Sequence, residues 1–194
     1  MIEAIQEVDQ QWFLWLNSFH TPFLDQLMAW VTNKYTWFPF YLLLAVALIL
    51  KFRWEGVRIC ALLGIVILFC DQLTSGAMKP FFERLRPCHN PSIASLVHLV
   101  EGCGGKYGFA SSHAANAFGL ATACWLFLRS WSHYFIWGFL WAVVVSYSRI
   151  YMGVHYPLDI LVGAFIGVVL AWLVYQSYQR MKPALFRTLP EKYR

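Results

Sequence analysis

Apolar positions in this chain fall into long runs, and the polar positions are gathered at the ends of those runs. Residues 1–19 are different: Ile5, Val8, Trp12, Phe13, Trp15 and Leu16 recur at helical spacing among acids and amides. That pattern predicts an amphipathic helix lying in a membrane interface, not a span. Glu3, Glu7 and Asp9 stand where the basic region of a cleavable signal peptide belongs, so the segment is expected to be retained. Residues 22–50 read as one span, kinked around Thr32-Asn33-Lys34 and unbroken from Trp37 to Leu50. Further spans are predicted at about 55–78, 112–128, 134–150 and 157–178, each near the roughly 20 residues that crossing a bilayer requires.

Composition agrees with this reading. Hydrophobic residues make up 59% of the chain and charged residues 13%, and the mean hydropathy of +0.51 excludes an ordinary water-soluble domain. Length and the lack of any linker or repeat predict a single membrane-embedded domain, 1–194, with an amphipathic segment at 1–21 and an outer loop at 79–110. The expected fold class is all-α: a multi-pass bundle of five transmembrane helices plus the interfacial helix. Trp37, Trp54, Trp131 and Trp172 fall near predicted span ends, where aromatic belts form.

Lysine and arginine placement predicts the orientation. Lys51, Arg53, Arg58, Arg129, Arg180, Lys182, Arg187, Lys192 and Arg194 collect on one side, which is expected to be cytoplasmic and to hold the C-terminus. Lys34, Lys79, Arg84, Arg86, Lys106 and Arg149 collect on the other. The net charge of +5 is accounted for largely by the cytoplasmic set, so nucleic-acid binding has little support.

Three polar clusters interrupt the apolar runs: Lys79 with Arg86-Pro87, Ser111-Ser112-His113, and Ser148-Arg149 followed by His155 and Asp159. On the predicted topology all of them meet at the outer face. A lysine or arginine at a membrane boundary ordinarily snorkels; convergence with two histidines favours a site instead. Lys79, Arg86 and Arg149 bring three positive charges and Asp159 removes one, a balance suited to a phosphate dianion and hostile to a divalent metal. Pro157 belongs in a first helical turn, which puts His155 just before the helix and Asp159 close enough to accept from one imidazole nitrogen. The other nitrogen is then free to attack phosphorus. Ser111-Ser112 precedes an alanine-rich helix and reads as its N-cap, where free N–H groups also suit an anion.

These residues resemble the type 2 phosphatidic acid phosphatase (PAP2) superfamily, membrane lipid phosphatases whose sites are related to those of vanadium haloperoxidases. K-x6-R-P is present as Lys79 to Arg86-Pro87, and S-R-x5-H-x3-D as Ser148-Arg149, His155 and Asp159. Where the family has P-S-G-H, this chain has Ala110-Ser111-Ser112-His113, and the departure bears on pocket shape. The likeness runs from about Asp71 to the end of the fifth span. It implies a PAP2/haloperoxidase-like core and metal-independent hydrolysis with no cofactor. His155 is the implied nucleophile, forming a phosphohistidine oriented by Asp159, and His113 protonates the leaving oxygen and then activates water. Lys79, Arg86, Arg149, the Ser111 hydroxyl and the Ser112 N–H are the implied phosphate ligands.

A membrane lipid phosphate or pyrophosphate is the substrate that the resemblance implies. Undecaprenyl pyrophosphate comes first, with phosphatidylglycerol phosphate or lipid A as alternatives. A small transporter would spread its charges along a path through the bilayer, and a non-catalytic lipid binder would have little use for both histidines. Asp71 is costly inside a span and is expected to face the bundle interior, in a supporting role. Asn116 is expected behind the site, while Glu83 and Arg84 read as solvated loop residues. Cys88 and Cys103 both lie in the outer loop, as a disulfide closing the glycine-rich segment 102–108 or as free thiols.

Overall fold

The structure is a computed structural model that describes residues 2–187. Lys192 and Arg194 of the basic set lie outside them. Regular structure among the described residues is helical, apart from a lone bridge pairing Leu85 with Tyr107.

Helix α1 (Ile2–Asn17) leaves Ile5, Val8, Trp12 and Trp15 exposed. Its opposite face is not simply polar. Asp9, Phe13 and Asn17, spaced by four, are buried against the bundle. Asn17 donates to the carbonyls of Ile150 and Tyr151 and accepts from His98 N at 2.8 Å. It thereby satisfies carbonyls at a helix end that would otherwise lack partners.

The single span expected at 22–50 is two helices. Helix α2 (Pro22–Thr32), capped by Thr21, packs on the helix Trp137–Tyr151 and ends at Asn33, whose extended backbone and side-chain acceptance from Tyr35 N start a new turn. The span proper begins there, with a 3-10 turn (Lys34–Trp37) leading into α3 (Phe38–Phe52). Helix α4 (Trp54–Asp71) runs through a π-helical stretch (Gln72–Met78) into the short α5 (Lys79–Phe82). Helices α6 (Ser112–Leu128), α7 (Trp137–Tyr151) and α8 (Pro157–Arg187) complete the bundle.

Three helical stretches among the described residues are long and apolar enough to cross a bilayer: Lys34–Phe52, Trp54–Phe82 and Pro157–Met181. Helices α6 and α7, predicted as spans, are shorter than that. At 17 residues α6 is about 26 Å long, and it forms the centre of the bundle, enclosed by α4, α7 and α8. Its buried residues are mostly small: Ala114, Ala115, Ala117, Gly119, Ala121 and Ala123. Small faces allow the close backbone approach that holds helices together in lipid. On α8, a methyl group added at Gly163 would strike the Ser111 carbonyl, and one at Gly167 the Ala115 carbonyl. These two helices carry His113 at the start of α6 and His155 just before α8, and their contact fixes how the histidines face each other.

Candidate active site

A cavity of about 400 Å³ opens at the end of the bundle where α5 begins, α6 starts, α7 ends and α8 starts. Lys79, Arg86, Ser112, His113, Arg149 and His155 line it, so most of the residues singled out by sequence meet in one place. Asp71 and Asn116 are also on its wall. Asp71 faces the cavity as expected but is exposed, not buried, and accepts from Ser75 Oγ at 3.3 Å.

His155 lies in the turn before α8 and is 1% exposed. Its Nδ1 is 3.2 Å from Asp159 Oδ2, which also accepts from Tyr156 N at 3.0 Å. The carboxylate reaches back to the N–H at the helix start in the manner of a capping box, and this fixes its rotamer. An Nδ1–H donated to Asp159 leaves Nε2 unprotonated. Burial holds the His155 imidazole well below its ordinary value near 6.5, with Arg149, Arg86, Lys79 and Arg84 adding to the effect. A neutral imidazole is the form able to act as a nucleophile. Gly108 backs this pair, since a Cβ there would stand 3.1 Å from Asp159 Oδ2.

The three cations are held by different elements. Lys79 Nζ donates to Ser75 Oγ at 3.1 Å and to Ser112 Oγ at 3.0 Å, keeping one N–H for a ligand. Arg86 donates from Nη1 to the Cys103 carbonyl at 3.1 Å and from Nε to the Tyr107 carbonyl at 3.3 Å. Cys103 is disulfide-bonded to Cys88, so the bridge and the arginine brace the same loop. Arg149 Nη1 donates to Thr32 Oγ1 at 2.6 Å, which is how α2 takes part in the site, while its buried Nε has no protein partner.

The two serines differ from expectation. Ser111 is the residue before α6, yet its hydroxyl makes no capping bond; it is fully buried, without a partner, and off the cavity wall. Ser111 N donates to the Asp159 carbonyl at 3.0 Å, so the residue ties α6 to α8. Ser112 Oγ is enclosed by Thr74 Oγ1 at 2.9 Å, Ser75 Oγ at 2.7 Å and Lys79 Nζ, and so faces the lysine.

Arg84 corrects the sequence reading most. It is not a solvated loop residue: its side chain is 16% exposed and pairs with Asp159 at 2.7 Å and with Asp9 at 2.6 Å. Asp9 and Arg84 cancel in charge, so the balance that favours a phosphate dianion stands. Sequence reading missed Asp9, Thr32, Thr74 and Ser75. Only Asp9 left a signal, being spaced by four from Phe13 and Asn17 on the face of α1 that turned out to be buried.

Two apolar clefts adjoin the inner end of the cavity. One, of about 330 Å³, shares Leu120 and Trp141 with it; the other, of about 180 Å³, shares Tyr41, Ile67 and Leu120. Leu44 of α3 lines both clefts.

The signature of the PAP2 superfamily matches residues 59–183, which include every element of the cavity wall except α2, the 3-10 turn Lys34–Trp37 and α3. The chain belongs to the PAP2 superfamily. Two curated relatives are lipid A 4′-phosphatases. The one from Bacteroides thetaiotaomicron is 43% identical over 90% of this chain and 79% of its own length. The one from Porphyromonas gingivalis is 38% identical over 91% and 75%. Among solved structures, LpxE from Aquifex aeolicus superposes with a TM-score of 0.66 at 27% identity, covering 86% of this chain and 93% of its own. The PAP2 chain described here is thus a membrane-embedded phosphoric ester hydrolase acting on lipid phosphates.

Proposed function

We propose that this enzyme removes a phosphate monoester from a lipid A-type glycolipid, at the 4′ position, on the outer face of the cytoplasmic membrane. The observation that carries the substrate reading is the cavity that joins three cations and two histidines to a pair of apolar clefts divided by Leu44. A lipid with several acyl chains suits divided clefts better than the single chain of undecaprenyl pyrophosphate. The lipid A 4′-phosphatases at 43% and 38% identity support the same choice, so the undecaprenyl expectation gives way to its alternative. The lysine and arginine bias supports the outward orientation.

In this reading His155 Nε2 attacks phosphorus, and the bond from phosphorus to the sugar oxygen breaks as His113 gives that oxygen a proton. His113 then takes a proton from water, whose oxygen displaces histidine and releases inorganic phosphate. Lys79, Arg86 and Arg149 stabilise the charge that builds on the phosphoryl oxygens. The test is phosphate release by purified protein, in detergent with EDTA, from a lipid A bisphosphate, phosphatidylglycerol phosphate and undecaprenyl pyrophosphate. The highest kcat/KM is expected for lipid A with loss of the 4′-phosphate, and preference for the pyrophosphate overturns the substrate reading. His155→Ala is expected to lower kcat at least about a thousandfold.

A further inference from the structure

Asp9 lies outside the motifs of the reaction and Arg84 fills a variable position within K-x6-R-P, yet they continue the His155–Asp159 pair into one buried chain. Asp159 divides its oxygens, giving Oδ2 to His155 and Tyr156 N and Oδ1 to Arg84 Nη1. Arg84 turns its other fork nitrogen to Asp9 Oδ2, and Asp9 Oδ1 accepts from Leu158 N at 2.9 Å. The guanidinium carbon rests 4.1 Å from the centre of the Tyr156 ring. A buried ion pair is costly unless its geometry is complete. Here both carboxylates have both oxygens bonded, and Arg84 is fixed on three sides.

We infer that Asp9 and Arg84 are positioning residues for the His155–Asp159 pair, which makes the interfacial helix α1 a working part of the catalytic centre. The inference rests on His155 as the nucleophile. Arg84 pins one Asp159 oxygen so that the other meets Nδ1, and Asp9 shares the arginine's charge, so that Asp159 stays basic enough to support the imidazole. Lysine cannot replace Arg84 in this role, because an ammonium does not span two carboxylates as a planar fork does.

The electrostatics give the two positions opposite signs. The groups facing the pair are Asp9 from α1, Lys79 from α5, Arg84 and Arg86 from the outer loop, His113 from α6, Arg149 from α7 and Tyr156 from the same turn. Removing the Asp9 charge concentrates Arg84 on Asp159 and disfavours a protonated His155. Removing the Arg84 charge does the reverse.

The test is the pH dependence of kcat for the full chain in detergent on a short-chain lipid phosphate monoester, with the same substrate for all variants. Asp9→Asn is expected to move the acid limb down and Arg84→Gln to move it up, each by roughly one unit. In both, kcat falls by about tenfold to a hundredfold, the range seen when a histidine loses its outer partner, while KM stays within about threefold. Arg84→Lys keeps the limb near its original position and still loses kcat, and Asp9→Glu recovers activity in part. Loss of activity in all four variants with an unmoved limb overturns the inference, as does unchanged kcat at an unchanged limb in a protein whose His155→Ala form is inactive. Activity retained in His155→Ala instead removes the nucleophile reading beneath it.

Discussion

Lys79 Nζ donates to Ser112 Oγ across 3.0 Å, joining the end of the second span to the start of the helix that carries His113. Ser112 stands where the family pattern has glycine, and its hydroxyl is spent on the lysine and on Ser75, not on narrowing the cavity. The lysine reaches the site from a π-helical stretch of backbone, a kind of irregularity frequent at functional sites. Serine supplies a tether at the point where that backbone is least regular.

Replacing Ser112 by alanine removes an acceptor from a charged donor in a buried setting. At about 1 kcal/mol for such a bond, KM is expected to rise about fivefold with kcat nearly unchanged. Inhibition by inorganic phosphate should weaken by the same factor. A fall in kcat at constant KM would show that the serine serves the chemical step instead.

The pH dependence follows from His155. Burial and four cations hold its pKa below 6.5, so the ring stays neutral, the form the proposed attack requires, as pH falls through that value. The acid limb of kcat/KM is therefore expected below pH 6.5, once the phosphate's own second ionisation at about 6 is allowed for. A limb above 6.5 would contradict it. Stability has the matching sign: below 6.5 the unfolded chain binds a proton that the folded chain refuses, so stability falls as pH drops and is unaffected by this group above 6.5.

Reduction of the Cys88–Cys103 bridge should act on binding before chemistry. The bridge closes 15 residues, worth about 3 kcal/mol in loop closure, and the Cys103 carbonyl is an acceptor for Arg86. Reductant is expected to raise KM severalfold and to expose residues 89–102 to protease, and reoxidation should reverse both. Cys88→Ser should behave like the reduced protein. Kinetics insensitive to reductant would separate the bridge from Arg86.

Much of the site was legible in the sequence because its parts are local. Lys79 with Arg86, Ser112 with His113, and His155 with Asp159 each lie within one helix turn or one short loop, where spacing determines geometry. What stayed hidden depends on contacts between distant segments. Arg84 meets Asp9 and Asp159 across 75 residues on either side, and Arg149 meets Thr32 across 117. Periodicity detects which face of a helix is apolar, but on α1 it grouped buried Phe13 with exposed Ile5, Val8, Trp12 and Trp15 and carried no sign that Asp9 packs against the bundle. The break at Asn33 was visible only as a polar interruption, because α2 is held by α7 and not by its own apolarity.

The contact of α6 with α8 has a consequence for how substrate range evolves. With Gly163 and Gly167 seated against carbonyl oxygens, the two histidines are mounted on what amounts to a single plate with no room for drift. Helix α3, with Leu44 between the clefts, carries none of the proposed reacting groups. With the lipid tails seated as proposed, a change there alters which tails fit and leaves the reaction intact, so new lipids can be admitted without rebuilding the machinery that cuts them.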